Sequence, residues 1–241
     1  VILYRAGRTP AGARATASHT ASIAGDFAVT RELAQEAGVL VAETLEDFDD
    51  LIRLAVLLRG KRVDGWSLGA LSNAGFECVG IADNLGRFVL APFSPETEDR
   101  LTTALATRRL NGIVDVHNPL DVTPIFDDAG YEEAARAILE DPSVDVGLIG
   151  CVPLTPALDT LPPDSAHGED VRRPGALADR LARLFAESPK AWVAVVDAGA
   201  PYDPLVRVLE EQGIPVFRTV DRAMMALERY CGWRVGTVNH R

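Results

Sequence analysis

Short, almost unbroken apolar runs alternate with helix-period segments along nearly the whole 241-residue chain. Residues 144–151 (Val-Asp-Val-Gly-Leu-Ile-Gly-Cys) and 191–197 (Ala-Trp-Val-Ala-Val-Val-Asp) are the clearest such runs. A strand that carries apolar side chains on both faces must be covered on both faces. Combined with strand–helix alternation, this predicts an α/β protein with parallel sheets wound by helices on either side. Signals for element ends support that reading. Asp26 reads as the N-cap of a helix over 27–37, with Gly38 as its stop. Thr44 and Asp47 resemble a capping box opening a helix over 45–59, with Leu45, Phe48, Leu51, Ile52, Ala55 and Leu58 on its buried face.

The other expected strands lie at 1–5, 39–42, 66–72, 88–91, 112–116 and 214–218, and the other helices at 75–85, 95–106, 130–140, 175–187, 203–212 and 221–230. Residues 7–25, rich in Gly, Ala, Ser and Thr, read as a loop, as do the proline-rich residues 153–174. The polar break Gly60-Lys61-Arg62 sets the expected boundary between a small first piece, 1–60, and a second domain, 61–241, that ends in a short tail. The chain opens on the apolar run Val1-Ile2-Leu3-Tyr4 without an initiating Met, so upstream sequence is expected.

Charge and composition narrow the function. A net charge of −11 disfavours a basic, phosphate-tracking surface, so nucleic acid is not an expected partner. Three cysteines far apart fit a reducing compartment better than a disulfide framework or a zinc site. No apolar run approaches the roughly 20 residues that span a bilayer, and no signal peptide is recognisable. A cytoplasmic protein without a membrane partner is expected. P-loop, dinucleotide and nucleophile-elbow signatures are absent, and the four histidines lack metal-ligand spacing.

Three segments remain as candidate chemistry. In the stretch Gly7 to Asp26, His19 is the most chemically capable side chain among small residues, although a purely structural hydrogen-bonding role is open to it. Ser72-Asn73-Ala74-Gly75 follows a parallel strand and opens a helix. That is where open α/β sheets bind ligands and where free backbone N–H groups attract anions, though a routine strand–helix turn looks the same. Asn118, in the run Val114 to Pro124, and Thr155, in Val152-Pro153-Leu154-Thr155-Pro156, follow expected strands in the same way. Ser72, Asn73, Ala74, Gly75, Asn118 and Thr155 are therefore the candidate phosphate-binding residues. The His19 stretch is expected to pack near that edge of the sheet.

Taken in order, these segments resemble the ADP-forming acyl-CoA synthetases (acetate–CoA ligase family), relatives of succinyl-CoA synthetase. The family's small-residue run ending in Ser-His-Thr is similar to Ala6-Gly7-Arg8 through Ala11-Gly12-Ala13 to Ser18-His19-Thr20. Its following Ala-Gly-Val resembles Ala37-Gly38-Val39, its Asn-Ala-Gly turn resembles Asn73-Ala74-Gly75, and its Gly-Asn-Pro-x-Asp-x-Thr loop resembles residues 117–123, with His117 in place of Gly. Ala21 stands where Gly is common, and Glu77 where a second small residue is common.

The resemblance implies flavodoxin-like ligase domains, with 1–60 as the last portion of the first, and a histidine, His19, that carries phosphate. It implies the reaction acyl-CoA + ADP + phosphate ⇌ acid + ATP + CoA. CoA, ADP or ATP and Mg are expected in CoA-binding and ATP-grasp domains of the same or a partner chain, within an oligomer. No tightly bound cofactor or metal is expected here, and this chain alone is expected to be inactive. The alternative is a non-catalytic acyl-CoA-sensing or regulatory module of a protein acetyltransferase. Nothing in the sequence names the acid.

Overall fold

The computed structural model describes residues 1–20 and 26–238, excepting the side chains of residues 18–20 and 237–238. The chain divides into two compact units, Val1–Val56 with Arg229–Arg241, and Leu57–Glu228. The C-terminal segment thus groups with the N-terminal piece, whereas the sequence break at Gly60 suggests a tail to the second domain.

In the first unit, strands β1 (Ile2–Tyr4) and β2 (Leu40–Ala42) pair in parallel, with Ile2 opposite Leu40 and Tyr4 opposite Ala42. Between them lie helices α1 (Pro10–Thr20) and α2 (Phe27–Glu36). Helix α1 corrects the expectation of a loop over 7–25 at Pro10–Thr20, and residues 21–25 lie outside the described residues. Pro10 occupies the first helical position, where its fixed φ helps. Thr9 Oγ1 accepts a hydrogen bond from Gly12 N at 3.1 Å, and the run is rich in alanine, the best helix former. Close-packing small residues and helix propensity point in opposite directions here, and propensity wins.

Asp26 caps α2 as expected, its carboxylate accepting from Ala28 N (2.7 Å) and Val29 N (3.3 Å), and Gly38 ends the helix at φ 74°. Helix α3 (Leu45–Leu57) opens with the expected box: Thr44 Oγ1 accepts from Asp47 N at 3.0 Å and Asp47 Oδ2 accepts from Glu43 N at 2.7 Å. Asp47 also holds Arg229 Nη1 at 2.7 Å, and Trp233 Nε1 donates to Gly38 O at 2.8 Å. These two bonds tie the C-terminal segment into the first unit.

The second unit is a parallel sheet. Its strands are β3 (Ser67–Ser72), β4 (Val89–Leu90), β5 (Leu120–Asp121), β6 (Val146–Cys151), β7 (Ala191–Val196) and β8 (Val216–Phe217). The path runs β4-β3-β6-β7-β8, with β5 paired to the end of β3. Leaving β5 aside, this is the 2-1-3-4-5 order of flavodoxin-like folds. Helices α4 (Gly75–Asp83), α5 (Pro95–Thr107), α6 (Asp128–Glu140), α7 (Leu177–Glu187) and α8 (Asp203–Glu211) alternate with the strands, and α9 (Val220–Val238) begins here and continues into the first unit.

Strands β6 and β7 are buried at every position, as their unbroken apolar composition requires. Helix α6 lies close on the sheet because Gly69 has no side chain: a Cβ there would stand 2.6 Å from Ile138 Cγ2.

The strand expected over 112–116 does not form. Gly112 adopts φ 79° in a turn closed by Val114 N to Leu110 O at 3.1 Å, and the strand comes later, at β5. The Asn118 side chain explains the shift. Its Oδ1 accepts from Ala70 N (3.1 Å), and its Nδ2 donates to Leu68 O (2.7 Å) and Ala91 O (3.0 Å). The Asn118 side chain thus bridges the middle of β3, between the β4 ladder at Ser67 and Leu68 and the β5 ladder at Leu71 and Ser72.

Candidate functional site

In a 2-1-3-4-5 sheet the crevice for ligands opens between the first and third strands, outside their carboxyl ends. In this chain those strands are β3 and β6. The turn Ser72-Asn73-Ala74-Gly75 leaves β3 at that point and runs into α4, whose N-cap is Ala74. Asn73 is buried and joins the two strand ends: its Nδ2 donates to Val152 O at 2.9 Å and its Oδ1 accepts from Val152 N at 2.8 Å. The Ser72 hydroxyl accepts from Ala74 N at 3.2 Å and donates to Glu77 Oε2. Gly75 is the first residue of α4, and a Cβ there would lie 3.1 Å from Asp121 Oδ2. A side chain at the start of α4 would therefore fit only if the Asp121 carboxylate gave way by a few tenths of an ångström.

The other candidates behave differently. All the polar atoms of the Asn118 side chain are engaged inside the sheet, so it serves the fold rather than a ligand. Thr155 is buried; its hydroxyl donates to Pro124 O and accepts from Ala157 N at 3.1 Å, which pins the loop after β6 to the loop after β5. The structure brings Ser72, Asn73, Ala74 and Gly75 together at the switch point. It places Asn118 at the flank of β3 and Thr155 in a loop-to-loop link. The backbone of His19 falls within α1, and its side chain lies outside the described residues.

Glu77 belongs to the site and is singled out in the sequence only as a departure from a family pattern. It is 1% exposed, although it stands in the first turn of a surface helix. Gly150 of β6 makes its space, since a Cβ there would collide with Glu77 Oε2. Burial raises its pKa to about 7; the Ser72 hydroxyl opposes that rise and the charge of Asp197 adds to it. Its Oε1 is buried without a hydrogen-bond partner. The available signal was a single carboxylate inside the otherwise apolar run Phe76, Cys78, Val79 and Ile81.

Around it, burial pushes the Cys78 thiol up to about 12 and raises Cys151 and Tyr131 well above their ordinary values. Neither thiol is a reactive thiolate. Among the described residues no group of three or more His, Cys, Asp or Glu side chains could hold a metal ion, and no helix is long and apolar enough to cross a membrane.

Known proteins match this chain along its whole length. Residues 1–55 match the succinyl-CoA ligase like flavodoxin domain. The alpha subunit of Pyrococcus furiosus acetate–CoA ligase [ADP-forming] II is 29% identical over 221 residues, 90% of this chain and 44% of that protein. The alpha subunit of form I from the same organism is 28% identical, with all of this chain and 48% of that protein covered. The chain is similar to the ADP-forming acetate–CoA ligases. A solved structure agrees: acetyl-coenzyme A synthetase 1 of Ca. Korarchaeum cryptofilum, described as dinucleotide forming and as a complex with phosphate and ADP, superposes with a TM-score of 0.75. The identity is 26%, over 98% of this chain and 48% of the synthetase. The chain spans about half the length of these relatives or less.

Proposed function

We propose that this chain is the phosphate-handling part of an ADP-forming acyl-CoA synthetase, working through a phosphohistidine at His19. The observation that carries the reading is the small-residue turn Ser72–Gly75, seated at the switch point of a flavodoxin-order sheet at the mouth of α4. The phosphate and ADP in the Korarchaeum complex and the ligase names of the relatives support it.

In this reading a neutral imidazole, abundant near neutral pH for a group of ordinary pKa about 6.5, attacks the phosphorus of an acyl phosphate. The N–P bond forms as the P–O bond to the acyl group breaks, and the acid leaves as its carboxylate. The phosphoryl group then passes to the terminal oxygen of ADP, restoring the imidazole and giving ATP. The α4 backbone N–H groups supply fixed donors for phosphate oxygens.

CoA, the nucleotide and its Mg would be held by CoA-binding and ATP-grasp parts of the same or a partner chain, in a cytoplasmic oligomer. Purified alone with acetyl-CoA, ADP and phosphate, this chain is expected to make no ATP, whereas the full-length protein does. ATP formation by the isolated chain, or none by the full-length protein with any acyl-CoA offered, would overturn the assignment.

A further inference from the structure

Glu77 has no part in the phosphoryl transfer described above, yet its carboxyl group lies under the turn proposed to take phosphate. Three observations put it there. It is the third residue of α4, and its Oε2 reaches back to the hydroxyl of Ser72, which itself holds Ala74 N. It is 1% exposed, packed against Gly150 of β6 where a side chain would collide with it. Its Oε1 has no hydrogen-bond partner, so one carboxylate oxygen is buried at the turn without compensation. A permanently ionised group in that position opposes any anion at the amides of Gly75 and Phe76. A neutral Glu77 carboxyl group removes that opposition, while the Asp121 carboxyl group facing Gly75 is present in both states.

We propose that Glu77 is a positioning residue that sets the anion affinity of the Ser72–Gly75 turn, which takes a phosphate-class dianion when Glu77 is protonated and turns it away when Glu77 is ionised. The inference rests on the proposed phosphate role of that turn and adds its control. The ionisable groups around Glu77 favour the proton staying on. Asp197, beyond the end of β7, raises its proton affinity. Cys78 on α4, Cys151 at the end of β6 and Tyr131 on α6 are each pushed up in turn by the Glu77 charge, and none of them is cationic. Tyr131 donates its hydroxyl to Gly150 O and so offers nothing to the free Oε1. Asp121, whose Oδ2 faces Gly75, has its Oδ1 engaged by Thr123 N at 2.9 Å. With burial placing the Glu77 pKa at about 7, the change of state falls near neutral pH.

The test uses sulfate, because phosphate changes its own charge near neutral pH and sulfate does not. Sulfate is titrated into the 241-residue chain while the backbone amide resonances of Gly75 and Phe76 are followed, from pH about 5.5 to about 8.5. The expected result is an affinity that falls about tenfold or more as pH rises, the scale set by one charge a few ångströms away at an effective dielectric near 20. Glu77→Gln is expected to bind at all pH values about as well as the unaltered chain binds at the acid end. The midpoint of the sulfate profile is also expected to coincide with that of the Glu77 carboxyl carbon resonance, which needs no variant.

A flat profile, an unchanged slope in Glu77→Gln, or two midpoints a unit or more apart overturns the role of Glu77 and leaves the turn an anion site. If sulfate moves neither amide at any pH, the turn is not an anion site, and both readings fall.

Discussion

Replacing Glu77 by Gln keeps the side chain's shape and its link to Ser72 but removes its titration. Burial raises this carboxyl from 4.5 to about 7. A difference of about 2.5 units corresponds to roughly 3 kcal/mol, an upper bound for a group that keeps one hydrogen bond. The sign follows from which state binds the proton more tightly. Below about pH 4.5 both folded and unfolded chains are protonated at this site, and Glu77 costs nothing. Between about pH 4.5 and 7 the unfolded chain ionises while the folded chain resists, so stability falls as pH rises. Above about pH 7 the folded group ionises too, and the penalty stays constant.

The Gln amide adds a roughly constant offset, because its N–H groups meet the same buried pocket that leaves Oε1 unpartnered. The slope, not the offset, is therefore the quantity to read. Urea unfolding of both proteins at pH about 4.5, 6 and 8 is expected to show the difference between them moving by up to ~3 kcal/mol in favour of the Gln variant as pH rises. Asp128, which burial raises to about 6, contributes a slope of the same sign but is common to both proteins and cancels. Parallel stability curves would refute the argument and mean that the folded protein hydrates the Glu77 carboxylate.

Asn118→Ala removes three hydrogen bonds beside β3 and takes their partner from the Ala70 N–H and the Ala91 carbonyl, while Leu68 O keeps its bond from Ala91 N; urea unfolding is expected to show a loss of about 3 kcal/mol, and a loss under ~1 would mean that water replaces the side chain. Gly75→Val sets a branched side chain against Asp121 at the mouth of α4. In the full-length protein it is expected to keep its circular-dichroism spectrum while acyl-CoA-dependent ATP formation falls at least about tenfold, the order of effect of disturbing positioned donors to a transferring group. Full activity in a folded Gly75→Val protein would remove this turn as the phosphate site.

The parts of the fold that a local pattern determines were legible in the sequence. Strands β6 and β7 carry too little polarity to sit anywhere but the middle of a sheet, and Asp26, Gly38 and the Thr44–Asp47 box mark helix ends through bonds to residues a few positions away. Long-range packing was not legible. Helix α1 was hidden because alanine and glycine serve a tight loop and a helix alike, and only the Thr9 cap and the alanine content decide between them. The strand at β5 was misplaced because the Asn118 side chain bridges the middle of β3, which no periodicity in its own segment announces.

The turn at Ser72–Gly75 could be found because strand ends and helix starts coincide there. Asn118 and Thr155 shared that sequence signature, yet their side chains are engaged within the fold. Glu77 required the opposite knowledge: its burial depends on Gly150, which is distant in sequence and adjacent only across the sheet.

The central claim is that His19 carries phosphate, and mapping the phosphate tests it most directly. The full-length protein is incubated with ATP labelled in its γ-phosphate, digested without acid, and the labelled peptide identified. The expected result is an acid-labile label on the peptide containing His19, discharged to ATP by added ADP and absent from His19→Ala. A label that survives in His19→Ala, or a protein that forms ATP from acyl-CoA without ever carrying an acid-labile phosphate, would contradict the account.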